Sequence, residues 1–202
     1  MNAQSRKLIT GGLSKPSKMP GYAYNLPATE CNVGAKLVQV PGSVCHGCYA
    51  LKGRYRFPNV KEAMHRRLKS IDGPLWVETM AADINARKSK YFRWHDSGDI
   101  QSLAHLKKIF DVCKLTPDVA HWIPTRESGI LSKLGPEEVP ANLTIRLSAT
   151  MVDGNAPKNS WHLTSTVVTE GASCPAPKQG NECKSCRNCW DQSIKNIAYG
   201  KH

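Results

Sequence analysis

The residues CPAPKQGNECKSCRNCW near the end of the chain constrain it more than any other stretch. They set Cys174, Cys183, Cys186 and Cys189 in a C-x8-C-x2-C-x2-C array, three thiols at two-residue gaps. Thiolates at every third position can wrap the corners of a cubane cluster, with the fourth cysteine completing the ligation. Zinc accepts the same four sulfurs tetrahedrally, but its sites more often split into two distant C-x2-C knuckles. The spacing therefore favours a 4Fe-4S cluster, with zinc as the alternative metal. The segment is rich in Pro, Lys and Asn and poor in apolar residues, so ligation is expected to be what folds it.

A second set lies near the other end: Cys31, then Cys45 and Cys48 in CHGCYALKGRY. Three thiolates leave one metal position open, which distinguishes a reactive centre from a purely structural one. Gly47 is expected to permit a tight turn, and Lys52 and Arg54 to offset thiolate charge. His46 and His95 are conceivable further ligands, but a lone histidine beside a cysteine pair is more often a supporting group, and neither is assigned. One cluster or two, including one that draws ligands from both ends, fits the count. Cys113 falls on the apolar stripe Leu103, Leu106, Ile109, Phe110 of a helix over 102–114 and is read as core.

Between the cysteine sets the pattern alternates. Lys36–Val40 (KLVQV), Tyr91–Trp94, His121–Pro124, Leu143–Ser148 and Leu163–Val168 read as strands. Helices are expected over 60–70, from Pro74 through the stripe Trp76, Val77, Met80, Ala81, Ile84, and over 102–114. Alternation of this kind predicts an α/β fold: a largely parallel sheet, open or closed into a partial barrel, with functional loops after the strands and a cysteine-rich metal-binding C-terminal segment. Residues 1–30, rich in Gly, Pro, Ser and Lys, read as a basic irregular arm, 31–170 as the α/β domain, and 171–202 as a cysteine-rich tail packed on it.

The net charge of +12 attracts polyanions, so nucleic acid is the expected partner. Lys61, Arg66, Arg67 and Lys69 form a candidate phosphate-facing surface, the alternative being a solvated helix face. No secretory leader or membrane-length apolar run is present, which predicts no membrane partner, a cytoplasmic location and, for the cysteines, ligands rather than disulfides. There is no P-loop, nucleotide-binding glycine fingerprint or serine-hydrolase elbow. The oligomeric state is not legible.

The segments PGSVCHGCYALKGRY, YFRWHDSGDI and HWIPTR together resemble the phage gene-product-eighty-eight family over most of the chain, which would place the protein in the host cytoplasm. That family in turn resembles the radical S-adenosylmethionine enzymes, partial α/β barrels in which a three-cysteine loop after the first strand binds a four-iron cluster. Cys45, Cys48 and Tyr49 match the end of that loop. Pro41 stands where the enzymes have their first cysteine, so the resemblance implies that Cys31 takes its place. It likewise implies that Ser97-Gly98-Asp99 is the counterpart of the Gly-Gly-Glu segment holding the methionyl amine, with S-adenosylmethionine as candidate cosubstrate. On this reading Ser97, Asp99 and Arg126 line the substrate pocket, and the tail cysteines carry an auxiliary cluster. The competing expectation is a non-catalytic nucleic-acid-binding protein with a structural zinc or iron–sulfur site.

Overall fold

The computed structural model describes residues 1–158 and 161–201. Its centre is a six-stranded sheet of β1 (Tyr22–Tyr24), β2 (Tyr91–Trp94), β3 (Ala120–Thr125), β4 (Leu143–Val152), β5 (Leu163–Val168) and β6 (Asn196–Gly200). The strands are all parallel and their spatial order is their order in the chain. When every crossover steps to the next strand with the same right-handed sense, the connections gather on one face and leave the other free to curl inward, as in barrels.

The two faces carry different chemistry because strand side chains alternate. One face sends Tyr24, Phe92, Trp94, Ile123, Ile145 and Leu147 into the main core. That core is closed by α4 (Trp76–Ala86), through Trp76, Met80 and Ile84, and by α5 (Leu103–Lys114), through Leu106, Ile109, Phe110 and Cys113. Ser102 caps α5 by accepting from the His105 amide at 3.1 Å, and Cys113 is fully buried, as expected of a core thiol. The other face gathers a smaller cluster, Trp122, Cys189, Trp190 and Ile197, in which the cysteine-rich segment packs onto the sheet.

Four expectations change. Lys36–Val40 is not a strand: α2 (Asn32–Leu37) runs into a turn there, because Lys and Leu are good helix formers and Cys31 offers a start. The first strand is instead Tyr22–Tyr24, inside the stretch expected to be irregular. That stretch also holds α1 (Ala3–Thr10), capped by Asn2 and ended by Gly11 at φ 79°. Arg67 in α3 (Pro58–Ser70) is buried rather than phosphate-facing, donating from Nε to the Gly12 carbonyl at 2.6 Å and from a terminal guanidinium nitrogen to the Asn25 side-chain oxygen.

The fourth change concerns the tail. It contributes β6 to the sheet, and protein groups tie it down. Arg146 on β4, wholly buried, donates to the carbonyls of Cys189 (3.1 Å), Ile194 (2.9 Å), Asn188 (3.0 Å) and Asp191 (2.7 Å). The Trp190 indole adds a bond to the Phe92 carbonyl at 3.0 Å. One guanidinium presents five donors in a rigid fork, so hydrogen bonding contributes to the hold on a segment with little apolar content. Among the described residues no helix is long and apolar enough to cross a membrane.

Candidate metal and ligand site

The strands' C-terminal ends open onto a cavity of about 750 Å³ lined by residues from both ends of the chain: Cys31, Cys45, Cys48, Asp99, Arg126 and Cys183 among them. This is where a parallel sheet delivers its functional loops.

The loop after β1 builds the first thiol set. Cys31 occupies the N-cap of α2, whose Val33 amide donates to the buried Glu127 carboxylate at 3.0 Å. The short helix folds the chain back, so the long gap to Cys45 does not separate the two in space. Gly34 lies between them: a Cβ there would stand 3.0 Å from the Cys31 Cβ, 3.5 Å from its sulfur and 3.6 Å from the Cys45 sulfur. Cys48 follows in the turn closed by its own amide on the Cys45 carbonyl at 3.0 Å. Gly47 is not needed for that turn, since its φ is not positive and a Cβ would meet nothing within 4 Å. His46 bonds the Val38 carbonyl through Nδ1 at 2.9 Å.

The electrostatics of this set are those of a group that wants a cation. Burial pushes the Cys31 thiol far up, and Asp99, Cys45, Cys48 and Glu127 push it further. Burial also raises Cys45, with Arg126 opposing and Cys48 and Asp99 adding to the rise. The compensating charge is thus Arg126; Lys52 and Arg54, expected in that role, are exposed.

The segment Ser97-Gly98-Asp99 lines the same cavity, but its side-chain oxygens are engaged with the backbone. Ser97 donates to the Leu26 carbonyl at 2.8 Å. Asp99 accepts from the amides of Ile100 (2.8 Å) and Arg126 (2.9 Å), tying the end of β2 to that of β3. Burial lifts its carboxyl to about 6 even against those bonds and the Thr125 hydroxyl. Gly98, at φ 76°, packs so closely that a Cβ would lie 2.6 Å from the Leu26 Cβ and 2.8 Å from its carbonyl oxygen. Arg126 faces the cavity and holds the Ala149 carbonyl through Nε at 3.2 Å. His95 lies on the wall at φ 57°, its ring kept neutral by burial, which pushes its pKa down to about 3.

The tail set gathers beside β6. The Cys174 amide donates to the Ala198 carbonyl at 3.0 Å, the Cys183 amide to Lys18 at 2.9 Å and the Cys186 amide to Cys183 at 2.8 Å. Cys189 sits with its sulfur 3.2 Å from the Tyr199 hydroxyl. Burial raises Cys183, with Cys174 and Cys186 adding to it; burial also lifts Cys189 to about 11, against Tyr199 and Arg93 and with Cys174 and Cys183. Each set is thus coupled within itself. Asn181 and Lys184 adopt φ 63° and 44°, left-handed conformations that L residues hold only when their surroundings demand it.

Among the described residues, no three His, Cys, Asp or Glu side chains are arranged to hold a single metal ion. Thiolates on one tetrahedral zinc stand about 3.8 Å apart, given its 2.3 Å bonds to sulfur. Thiolates on a four-iron cluster bind different irons and stand further apart.

Between the sets, beside Tyr49, lie residues to which sequence reading gave no role: Arg93 on β2, Asp96 after it, Trp122 on β3, and Tyr55 from the loop after β1. A signal for the first was present. Arg93 between Phe92 and Trp94, like Arg146 between Ile145 and Leu147, is a charge at alternate register in a buried parallel strand, where near-continuous apolar runs are the rule.

Fold and site together define an α/β protein with a sequentially ordered parallel sheet, helices on one face, and a cysteine-rimmed cavity at the strands' C-terminal ends. The chain belongs to the Gene product 88 family, whose sequence model matches residues 1–192. No curated protein and no solved structure gives a significant match.

Proposed function

We propose that this is an iron–sulfur enzyme of radical S-adenosylmethionine-like architecture, acting on a nucleic acid or nucleotide. Cys31, Cys45 and Cys48 would hold a reactive four-iron cluster, and Cys174, Cys183, Cys186 and Cys189 an auxiliary one. The observation that carries the reading is that three thiols from the loop after β1 and Cys183 of the tail share one cavity at the strands' C-terminal ends. Three further features support it. Gly34 lies against the sulfurs of both Cys31 and Cys45, so the fold gathers in one place two thiols that the chain separates by fourteen positions. The thiols and carboxylates around Cys31 outnumber the one cation that opposes them, a balance that a positively charged iron core would relieve. The sequential parallel sheet suits a partial barrel.

Such a cluster, when bound, supplies one-electron reduction at its open position; the chain's own part is to position the substrate and exclude water. Arg126 would balance thiolate charge and face the substrate. Asp99 and Ser97 would set the geometry of the strand ends that carry it, since their oxygens are committed to the backbone. Nucleic-acid recognition is supported by the net charge of +12 and by Lys18 and Lys201 beside the cavity.

Anaerobic purification and reconstitution test the reading. Two four-iron clusters predict about eight irons and eight sulfides per chain and a brown protein. A colourless, zinc-only protein would refute it and favour the non-catalytic alternative. Equilibrium dialysis with labelled S-adenosylmethionine tests the cosubstrate separately, and absence of binding removes the radical mechanism while leaving the clusters.

A further inference from the structure

The floor of the cavity between the thiol sets carries polar atoms that have no partner among the described residues. Asp96 is 7% exposed and its Oδ1 accepts from no other described residue, while its Oδ2 takes the Tyr55 hydroxyl at 3.1 Å. Trp122 is 5% exposed with an unpartnered indole Nε1–H, and the neighbouring Arg93 has an unpartnered Nε–H, its guanidinium 4.6 Å from the Trp122 ring centroid. All three line the same cavity. Buried donors and acceptors are almost always satisfied, so this acceptor and these two donors, together with the two unpartnered ring nitrogens of His95 on the same cavity's wall, mark the imprint of something that binds there.

The imprint has a definite chemistry. A carboxylate oxygen accepts an exocyclic amino group, and an arginine N–H donates to a ring carbonyl or ring nitrogen; these are the pairings by which side chains read base edges. Tyr49 supplies an apolar surface beside them. Its hydroxyl is pinned to the Asp96 carbonyl while 48% of its surface stays exposed. An aromatic ring fixed by its hydroxyl is a stacking platform for a base.

We propose that Asp96, Arg93 and Trp122 form a subsite for an amino-bearing nucleobase, one that presents an amino group beside a carbonyl or ring nitrogen on one edge, with Tyr49 stacking on the ring. This deepens the proposed function by naming the substrate class at the same cavity, and it rests on the nucleic-acid part of that reading. Asp96 selects the amino group, so uracil, which offers a carbonyl in that place, meets the carboxylate oxygen with repulsion.

Isothermal titration of the full chain with GMP, CMP, AMP and UMP, on samples whose iron content is measured in parallel, tests the assignment. GMP, CMP and AMP should bind at least tenfold more tightly than UMP. Asp96→Asn should erase the preference over UMP, and Tyr49→Ala should weaken every nucleotide without changing their order. Thermal melts that match the parent protein, together with retained Trp fluorescence quenching by bound nucleotide, separate a lost contact from a lost fold. Equal binding of all four nucleotides, tightest binding of UMP, or an unchanged preference in Asp96→Asn would overturn it. So would no binding at all, which would leave ordered water as what fills the floor. Iron-loaded protein that ignores nucleotides sinks the subsite alone, whereas zinc-only protein that binds GMP sinks the cluster reading alone.

Discussion

Replacing Arg146 by leucine should free the cysteine-rich tail while leaving the helical side of the molecule folded. Four carbonyls of residues 188–194 converge on this one buried side chain at 2.7–3.1 Å. A hydrogen bond to a charged group contributes about 1.5–3 kcal/mol net, so four set a ceiling of about 6–12 kcal/mol. The ceiling is not reached, because a loosened tail lets water reach the abandoned carbonyls. Breaking one side of a buried charged set costs about 3–5 kcal/mol, and about 4 kcal/mol is the expected loss. Since the tail meets the rest of the sheet through Arg146, Trp190 and β6, the loss should appear as local opening. Hydrogen exchange followed by mass spectrometry should show amides of 188–199 exchanging up to about a thousandfold faster, with α5 amides unchanged. Arg146→Lys should fall between, because one ammonium cannot reach four carbonyls in a plane. If tail amides keep their protection, or if tail and α5 amides accelerate together, the guanidinium does not anchor the tail separately.

Three further outcomes are expected. His121 accepts from the Trp94 indole at 3.2 Å and meets the Thr116 hydroxyl at 2.8 Å, and burial pushes its pKa down to about 3. Its unfolded form takes up a proton below about 6.5, so its contribution to stability is present above that pH and is lost as pH falls toward 3. Chemical denaturation should show a loss of about 2 kcal/mol between pH 7 and 5 from this group, and an unchanged slope in His121→Gln would contradict the assignment. Gly98→Ala must move Leu26 or abandon φ 76°, at a cost of about 2–3 kcal/mol read as a lower denaturant midpoint; a neutral substitution would show that the strand end relaxes freely. Finally, Cys31→Ala should remove about four irons per chain and Cys113→Ala none, by iron assay on reconstituted protein, with the reverse pattern excluding the ligand assignment.

The strands at Tyr91–Trp94 and Leu163–Val168, and the helices over 60–70, 76–84 and 102–114, were legible because each carries its own periodicity and, in α5, its own cap. The short first strand was not. Tyr22–Tyr24 holds three residues between Gly and Pro signals, and its definition as a strand comes from pairing with β2 on one side and with Ser14 on the other. The last strand was hidden for the same reason, since Asn196–Gly200 is a short run with no alternating pattern of its own and is fixed by its register on β5.

The candidate site divides along the same line. Spacing in the chain determined the two cysteine sets, and helical periodicity set Cys113 apart in the core. Only the tertiary structure decided that α2 returns Cys31 to Cys45, that Arg126 and not Lys52 or Arg54 balances the thiols, and that Ser97 and Asp99 spend their oxygens on the backbone. It also decided that the tail is pinned by Arg146. The physical reason is one of range. Spacing and periodicity act within a turn or a strand and leave a mark in the sequence, whereas burial and carbonyl convergence on a guanidinium arise only once distant segments share a sheet.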